Sequence, residues 1–205
     1  MEKTFRDIYI QGAWGDNYDK LYMGSSGDGS RLEHAMPYVE FVRKWLIDNN
    51  IKSVVDGGCG DCKHFQPLYK GLPLYYVGYD VYKEMIMANN RDHRSDNRLF
   101  RQLDIYNQRD MMIEGDVLIL KDILQHWLDN EVIDFLDWAT TCGKYKHILL
   151  TNCSDGRDNT LLLYRGGFRP LDEKHRLLSK YDMNPIFEYS TKKVLLWSAV
   201  KVPGV

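Results

Sequence analysis

The 205-residue sequence predicts an α/β fold, a doubly wound and mostly parallel seven-stranded sheet with an antiparallel C-terminal hairpin and an N-terminal lid. Three observations predict it. From residue 51 onward, short apolar runs alternate with helical patterns, as parallel strands joined by crossover helices do. The first run, Ser53-Val54-Val55-Asp56, leads directly into the glycine loop Gly57-Gly58-Cys59-Gly60 and then a helix. Near the C-terminus, two strand-like segments are separated only by a short turn, so they pair antiparallel.

Composition sets the bounds. Hydrophobic residues make up 44% and charged residues 27%, the balance of a globular chain of one domain, residues 1–205. The 27 Lys and Arg nearly cancel the 29 Asp and Glu, giving −2, which disfavours a nucleic-acid partner. Met1 to Ile10 carries charges in every turn, unlike a signal peptide. The apolar runs stop far short of the roughly 20 residues a membrane helix needs. Cys59, Cys62, Cys142 and Cys153 are too few for a disulfide scaffold, so a soluble protein of a reducing, cytoplasmic compartment is expected. Oligomeric state is not encoded in any of these features.

The elements follow in order. Gln11-Gly12-Ala13-Trp14-Gly15 and Gly24-Ser25-Ser26-Gly27-Asp28-Gly29-Ser30 are too rich in glycine for a long regular element. Residues 1–29 are therefore expected as loops, a lid over the core of residues 30–205. Ser30-Arg31-Leu32-Glu33 has the capping-box pattern, and Leu32, Ala35, Met36, Val39, Val42, Trp45 and Leu46 keep helical spacing. Pro37 predicts a kink or a restart of that helix. Strands are expected over 53–56, 74–79, 98–103, 116–120 and 147–151. Helices are expected near 62–70, over 83–90 and from 130 to 140. Residues 185–190 and 194–200 form the hairpin, turning near Thr191-Lys192.

In open α/β sheets, ligands sit beyond the carboxyl ends of the strands. Gly58 and Gly60 let the backbone pass close to a ligand. Asp80, about twenty residues further on, ends the second strand, where an acidic side chain can hold a ribose diol. Asp104 with Ile105 closes the third strand, and Lys121-Asp122 the fourth, followed by Gln125-His126. Four strand ends thus carry polar groups to one rim, which predicts a site. A dinucleotide would need Gly or Ala at position 63, where the chain has Lys63. A nucleoside without phosphates fits better.

The run from Asp56 through Asp61, with Asp80, Asp104 and residues 116–126, resembles the successive motifs of class I S-adenosylmethionine-dependent methyltransferases, which have a Rossmann-like fold. The resemblance covers nearly the whole chain. Trp14-Gly15, Ser26-Gly27-Asp28-Gly29-Ser30 and Arg165-Gly166-Gly167-Phe168-Arg169-Pro170-Leu171 further resemble a bacterial and viral branch that accompanies glycan-building enzymes. More loosely, the chain is similar to the methyltransferase domain of a chlorovirus glycan-synthesis protein. The resemblance implies S-adenosylmethionine as cofactor and O-methylation of a sugar hydroxyl on a glycan, such as a deoxysugar like rhamnose.

It also implies roles. Gly58 and Gly60 would approach the methionine half of the cofactor, and Asp56 would orient the loop or meet the amino group. Asp80 would accept both ribose hydroxyls, Asp104 and Ile105 would frame the adenine, and the Lys121 backbone would face the methionyl group. Trp14 and Ser26 would contact the cofactor from the lid. Cys62 departs from the family, which often has glycine there.

A sugar hydroxyl needs a base to lose its proton. Asp122 and His126 stand at i and i+4, which predicts one face of a helical turn, and either could serve. Methylation of a small metabolite or amine would need no such base, and a non-catalytic cofactor-binding subunit would need neither residue. Cys59 and Cys62 have the spacing of zinc ligands but no second pair, so they read as loop cysteines and no metal site is expected. Trp14, set among glycines, has little core to join and so reads as a site residue.

Overall fold

The computed structural model describes residues 1–17, 21–154 and 161–199. Its seven strands form a mostly parallel sheet with an antiparallel C-terminal hairpin, the class that the strand–helix alternation predicts. By contacts the chain divides into two compact units, Met1–Met112 and Ile113–Val205.

The first unit contains α1 (Glu2–Ile10), α2 (Leu32–Asp48), β1 (Ser53–Gly57), α3 (Phe65–Tyr69), β2 (Tyr75–Asp80), α4 (Lys83–His93) and β3 (Arg98–Gln102). Strand β2 pairs parallel with β1 on one side and β3 on the other. Val54, Val55, Tyr76 and Val77 are fully buried, which explains why these strands read as continuous apolar runs. Phe65, Tyr69, Tyr76 and Phe100 pack as an aromatic cluster with ring centroids 4.8–5.5 Å apart.

The second unit contains β4 (Gly115–Lys121), α5 (Asp129–Thr141), β5 (Tyr145–Cys153), β6 (Asn184–Tyr189) and β7 (Lys192–Ser198). Strands β4 and β5 are parallel; β7 is antiparallel to both β5 and β6. Ser190, with φ +50°, makes the hairpin turn. Val200, expected to end the last strand, lies outside the described residues, as do 18–20 of the lid segment and 155–160.

Three local expectations are corrected. Residues 1–29 are not loops throughout: α1 occupies 2–10, where no glycine interrupts, and Lys3 pairs with Asp7 one turn on at 3.1 Å. The first glycine of the segment is what stops the helix. Gly12 takes φ +63°, its N–H donates to the Tyr9 carbonyl, and the Ala13 N–H donates to that of Ile8, a paired C-terminal cap.

Ser30 does not cap α2. Its hydroxyl donates to the Ser26 carbonyl at 3.2 Å, and Arg31 occupies the cap position without a side-chain bond. Nor does α2 restart at Pro37; it runs as one helix of 17 residues through the proline, which sits near its N-terminal end.

Candidate active site

In the first unit, β1 delivers Asp56 into the core, where its carboxylate accepts the Tyr76 hydroxyl at 2.8 Å. The chain then folds back on β2: the Gly58 and Cys59 N–H groups both donate to the Tyr79 carbonyl, at 2.8 and 2.9 Å. Gly58 and Gly60 have φ of +77° and +60°, a region that strains any side chain. Cys62 holds φ +52°, so the departure from glycine retains the backbone turn but places a residue with a Cβ in a left-handed conformation.

Asp80 organises this loop. Its Oδ2 accepts the Gly60 N–H at 3.1 Å and its Oδ1 that of Tyr82 at 3.1 Å. Burial raises its pKa to about 6, against the lowering effect of those backbone donors. The loop is closed from the other side by Asn89, whose amide donates to the Gly60 carbonyl at 2.8 Å.

The N-terminal segment is clamped to the loop reciprocally. The Ser26 N–H donates to Asp61 Oδ2 at 3.2 Å, and the Asp61 N–H donates to Ser26 Oγ at 2.9 Å. The Tyr9 hydroxyl shares a 2.9 Å hydrogen bond with the same Oγ. A Cβ on Gly60 would lie 2.6 Å from Ser26 Oγ, so glycine is required for this approach.

Trp14 is a correction: it does have a core to join. It packs 5.6 Å from the Tyr9 ring and 6.0 Å from Phe5, against a cluster of Tyr9, Tyr22, Tyr82, Met85 and Ala88. Asp104 caps its own turn, accepting the Tyr106 and Asn107 N–H groups at 3.1 Å each and the Asn107 amide at 2.8 Å. Its burial favours the neutral acid, but these donors and the Met1 amino group hold its pKa below the ordinary range. Ile105 beside it is buried.

In the second unit, Asp122 and His126 do not share a helical face. Asp122 has φ +59° and its N–H donates to the Thr151 carbonyl at 2.7 Å, so the chain turns sharply off β4. Only a single 3-10 turn, Leu124–His126, follows. The Asp122 carboxylate contacts Lys121 Nζ at 2.6 Å and Lys192 Nζ at 2.5 Å. Burial alone would raise its pKa, but the two ammonium groups reverse that and hold it at about 2. Such a carboxylate is a poor proton acceptor.

His126 is placed differently. Its Nδ1 lies 2.6 Å from the Gly167 carbonyl, and its own carbonyl accepts the Gly166 N–H at 2.8 Å. A carbonyl only accepts, so the proton sits on Nδ1 and the lone pair on Nε2. Burial lowers the His126 pKa below its ordinary value, keeping the ring neutral at pH 7; the Gly167 bond and Asp122 act in the opposite direction. The Gln125 amide nitrogen lies 3.4 Å from both Asp122 Oδ1 and His126 Nε2, and its oxygen accepts the Cys153 N–H at 2.9 Å. The segment around Gly167 is pinned too: Arg169 pairs with Asp129 at 2.9 Å, and Arg165 with Glu131.

Spacing alone could not point to Lys192, Gly167 or Asp61. Gly167 and its neighbours stand out in the sequence only through the resemblance carried by Arg165–Leu171. Cys59 and Cys62 are buried free thiols, and burial pushes both pKa values up. The glycine φ values, the bond from Gly60 to Asp80 and the buried acid at the end of β2 fit the adenosyl-methionine cofactor that the motifs imply.

No family model and no curated protein matches the chain by sequence. Solved structures do match. An O-methyltransferase family protein from Burkholderia thailandensis superposes with a TM-score of 0.63 at 15% identity, covering 82% of this chain and 57% of its own. Magnesium protoporphyrin IX methyltransferase (ChlM) from Synechocystis PCC 6803, with bound SAH, gives 0.62 at 16% identity over 96% and 98%. The mitomycin 7-O-methyltransferase MmcR gives 0.57 at 17% identity over 82% and 56%. The chain therefore spans little more than half of two of these structures and nearly all of the third.

The class is thereby defined at the level of fold: a Rossmann-like α/β chain of the kind shared by S-adenosylmethionine-dependent methyltransferases. No described helix is long and apolar enough to cross a membrane.

Proposed function

We propose that the chain, as a single domain, is an S-adenosylmethionine-dependent O-methyltransferase acting on a sugar hydroxyl of a glycan in the cytoplasm. The observation that carries the reading is the tautomer of His126, whose Nδ1 is committed to the Gly167 carbonyl at 2.6 Å while Nε2 holds the lone pair. A neutral amine attacks a methyl group without such a base, whereas a sugar hydroxyl requires one.

The residues divide the work. Gly58 and Gly60 admit the methionine half of the cofactor, Asp80 accepts the ribose hydroxyls, and Asp104 with Ile105 borders the adenine. Ser26 holds the N-terminal segment over the loop. The Lys121 backbone would face the methionyl group. When bound, S-adenosylmethionine supplies an electrophilic methyl group. His126 Nε2 takes the proton of the acceptor hydroxyl, and Nδ1–H keeps its bond to Gly167 as the ring becomes imidazolium. Asp122, fixed as an anion by its two lysines, stabilises that cation.

The acceptor class has its own support. Asn152, at the end of β5, is buried, and neither its amide oxygen nor its nitrogen has a hydrogen-bond partner among the described residues. A neutral donor beside a neutral acceptor suits hydroxyl groups rather than charged ones.

The test is incubation with S-adenosylmethionine and a panel of deoxyhexose and hexose glycosides, read by mass spectrometry. A singly methylated glycoside that is lost with His126→Ala is the expected result. Methylation of amines alone, unaffected by His126→Ala, would overturn the reading.

A further inference from the structure

Of the carboxylates on and beside the glycine loop, Asp56, Asp61 and Asp80, one has a buried oxygen without a hydrogen-bond partner among the described residues. Asp56, the residue the family resemblance puts closest to the cofactor's amino group, is tied to the Tyr76 hydroxyl in the core. Asp80 spends both oxygens on the Gly60 and Tyr82 N–H groups. Asp61 is different. Its side chain is 1% exposed, and its Oδ2 carries both the Ser26 N–H at 3.2 Å and Lys63 Nζ at 3.0 Å. Its Oδ1, equally buried, has no hydrogen-bond partner among the described residues.

A buried carboxylate oxygen without a donor is uncommon and costly, and it selects a ligand that brings N–H groups, preferably with positive charge. Asp61 follows Gly60 directly, in the loop whose positive-φ glycines allow close approach. Of the two charged ends of an amino-acid ligand, the carboxylate is repelled here. The ammonium supplies both the charge and the donors.

We propose that Asp61 receives the α-ammonium group of the cofactor's methionine half through Oδ1, while Oδ2 holds the Ser26 segment. The assignment rests on the cofactor reading given above. It makes one carboxylate serve two tasks, ligand recognition on one oxygen and closure of the N-terminal segment on the other.

Isothermal titration of the full chain with two ligands separates those tasks. S-adenosylhomocysteine carries the amino-acid half, and 5′-methylthioadenosine lacks it. Asp61→Asn preserves the shape and an oxygen for the Ser26 N–H but removes the charge. The variant is expected to bind S-adenosylhomocysteine about tenfold to a hundredfold more weakly and 5′-methylthioadenosine unchanged, which also shows that it is folded. Equal weakening of both ligands would reduce Asp61 to a clamp for Ser26 and overturn the proposal, as would no weakening of either. If the unsubstituted chain bound neither ligand, the cofactor reading itself would fall.

Discussion

The glycine loop of the first unit and the His126 turn of the second are built by opposite means. The loop is mostly local: Gly58, Gly60 and Asp61 are neighbours, and Asp80 joins them from the adjacent strand. The bonds around His126 come from far along the chain, from Gly167 on a returning segment and from Lys192 at the start of β7. The loop achieves its shape with glycine backbone and buried acids. The His126 turn is built with burial and distant partners: burial disfavours the charged imidazole and the Gly167 carbonyl orients it, next to a carboxylate that two lysines hold as an anion. The loop rests on short-range structure, and the His126 turn on long-range structure.

The largest effect expected of breaking this contrast is at His126. His126→Ala should lower turnover by about 10²- to 10⁴-fold while leaving S-adenosylhomocysteine affinity unchanged in titration. In the unsubstituted chain the rate should rise with pH through the His126 pKa, which burial holds below 6.5, and be flat at neutrality. A limb above pH 7 would contradict the assignment.

The next effect is on the recognition side. Asp80→Ala should weaken S-adenosylhomocysteine binding by roughly 1.5–3 kcal/mol, the range for hydrogen bonds to a charged group. Ribose hydroxyls favour the ionised acid, so affinity in the unsubstituted chain should fall as pH drops below about 6 and be constant above it. For the ligand-free chain the sign is reversed. A carboxyl whose folded pKa is raised from 3.8 to about 6 costs stability as pH rises through that window, which chemical denaturation across pH 4–7 would detect.

Asp122→Asn probes the charge cluster. It leaves Lys121 and Lys192 nearly buried, their side chains 7% and 13% exposed, without their carboxylate. A pKa depressed from 3.8 to about 2 corresponds to roughly 2 kcal/mol, present above pH 3.8 and lost as pH falls toward 2. The variant should therefore unfold at lower denaturant concentration at pH 7 and lose most of that difference in acid. Its turnover should drop less than that of His126→Ala; an equal or larger drop would return Asp122 to candidacy as the base.

The smallest effect sharpens the loop. Cys62→Gly relieves a left-handed residue but removes a buried thiol that donates to the Cys59 carbonyl at 3.5 Å. The two nearly offset, and a stability change within about 1 kcal/mol is expected by thermal unfolding.

The parallel character of the sheet, the hairpin, the glycine loop and the acid ending β2 are legible in the sequence, because period, glycine and acid spacing act within a few residues or one crossover; the order of the strands is not. The sequence misled where context decided. Glycine density hid α1, because the glycines begin only after the helix has ended. Trp14 reads as a residue with little core to join because Tyr9, Tyr22 and Tyr82 are gathered beside it only by folding. The i, i+4 spacing of Asp122 and His126 suggested a helix, but an Asp at φ +59° reverses the chain first. Lys192 stands 70 residues from Asp122, and no local pattern relates them.

The central claim, that the glycine loop and Asp80 hold an adenosyl-methionine cofactor, is tested most directly by titrating the full chain with S-adenosylhomocysteine and, separately, with NAD. The structure predicts micromolar binding of S-adenosylhomocysteine and far weaker binding of NAD, because Lys63 replaces the third glycine that a dinucleotide loop requires. Comparable affinity for the two, or binding of NAD alone, would contradict it.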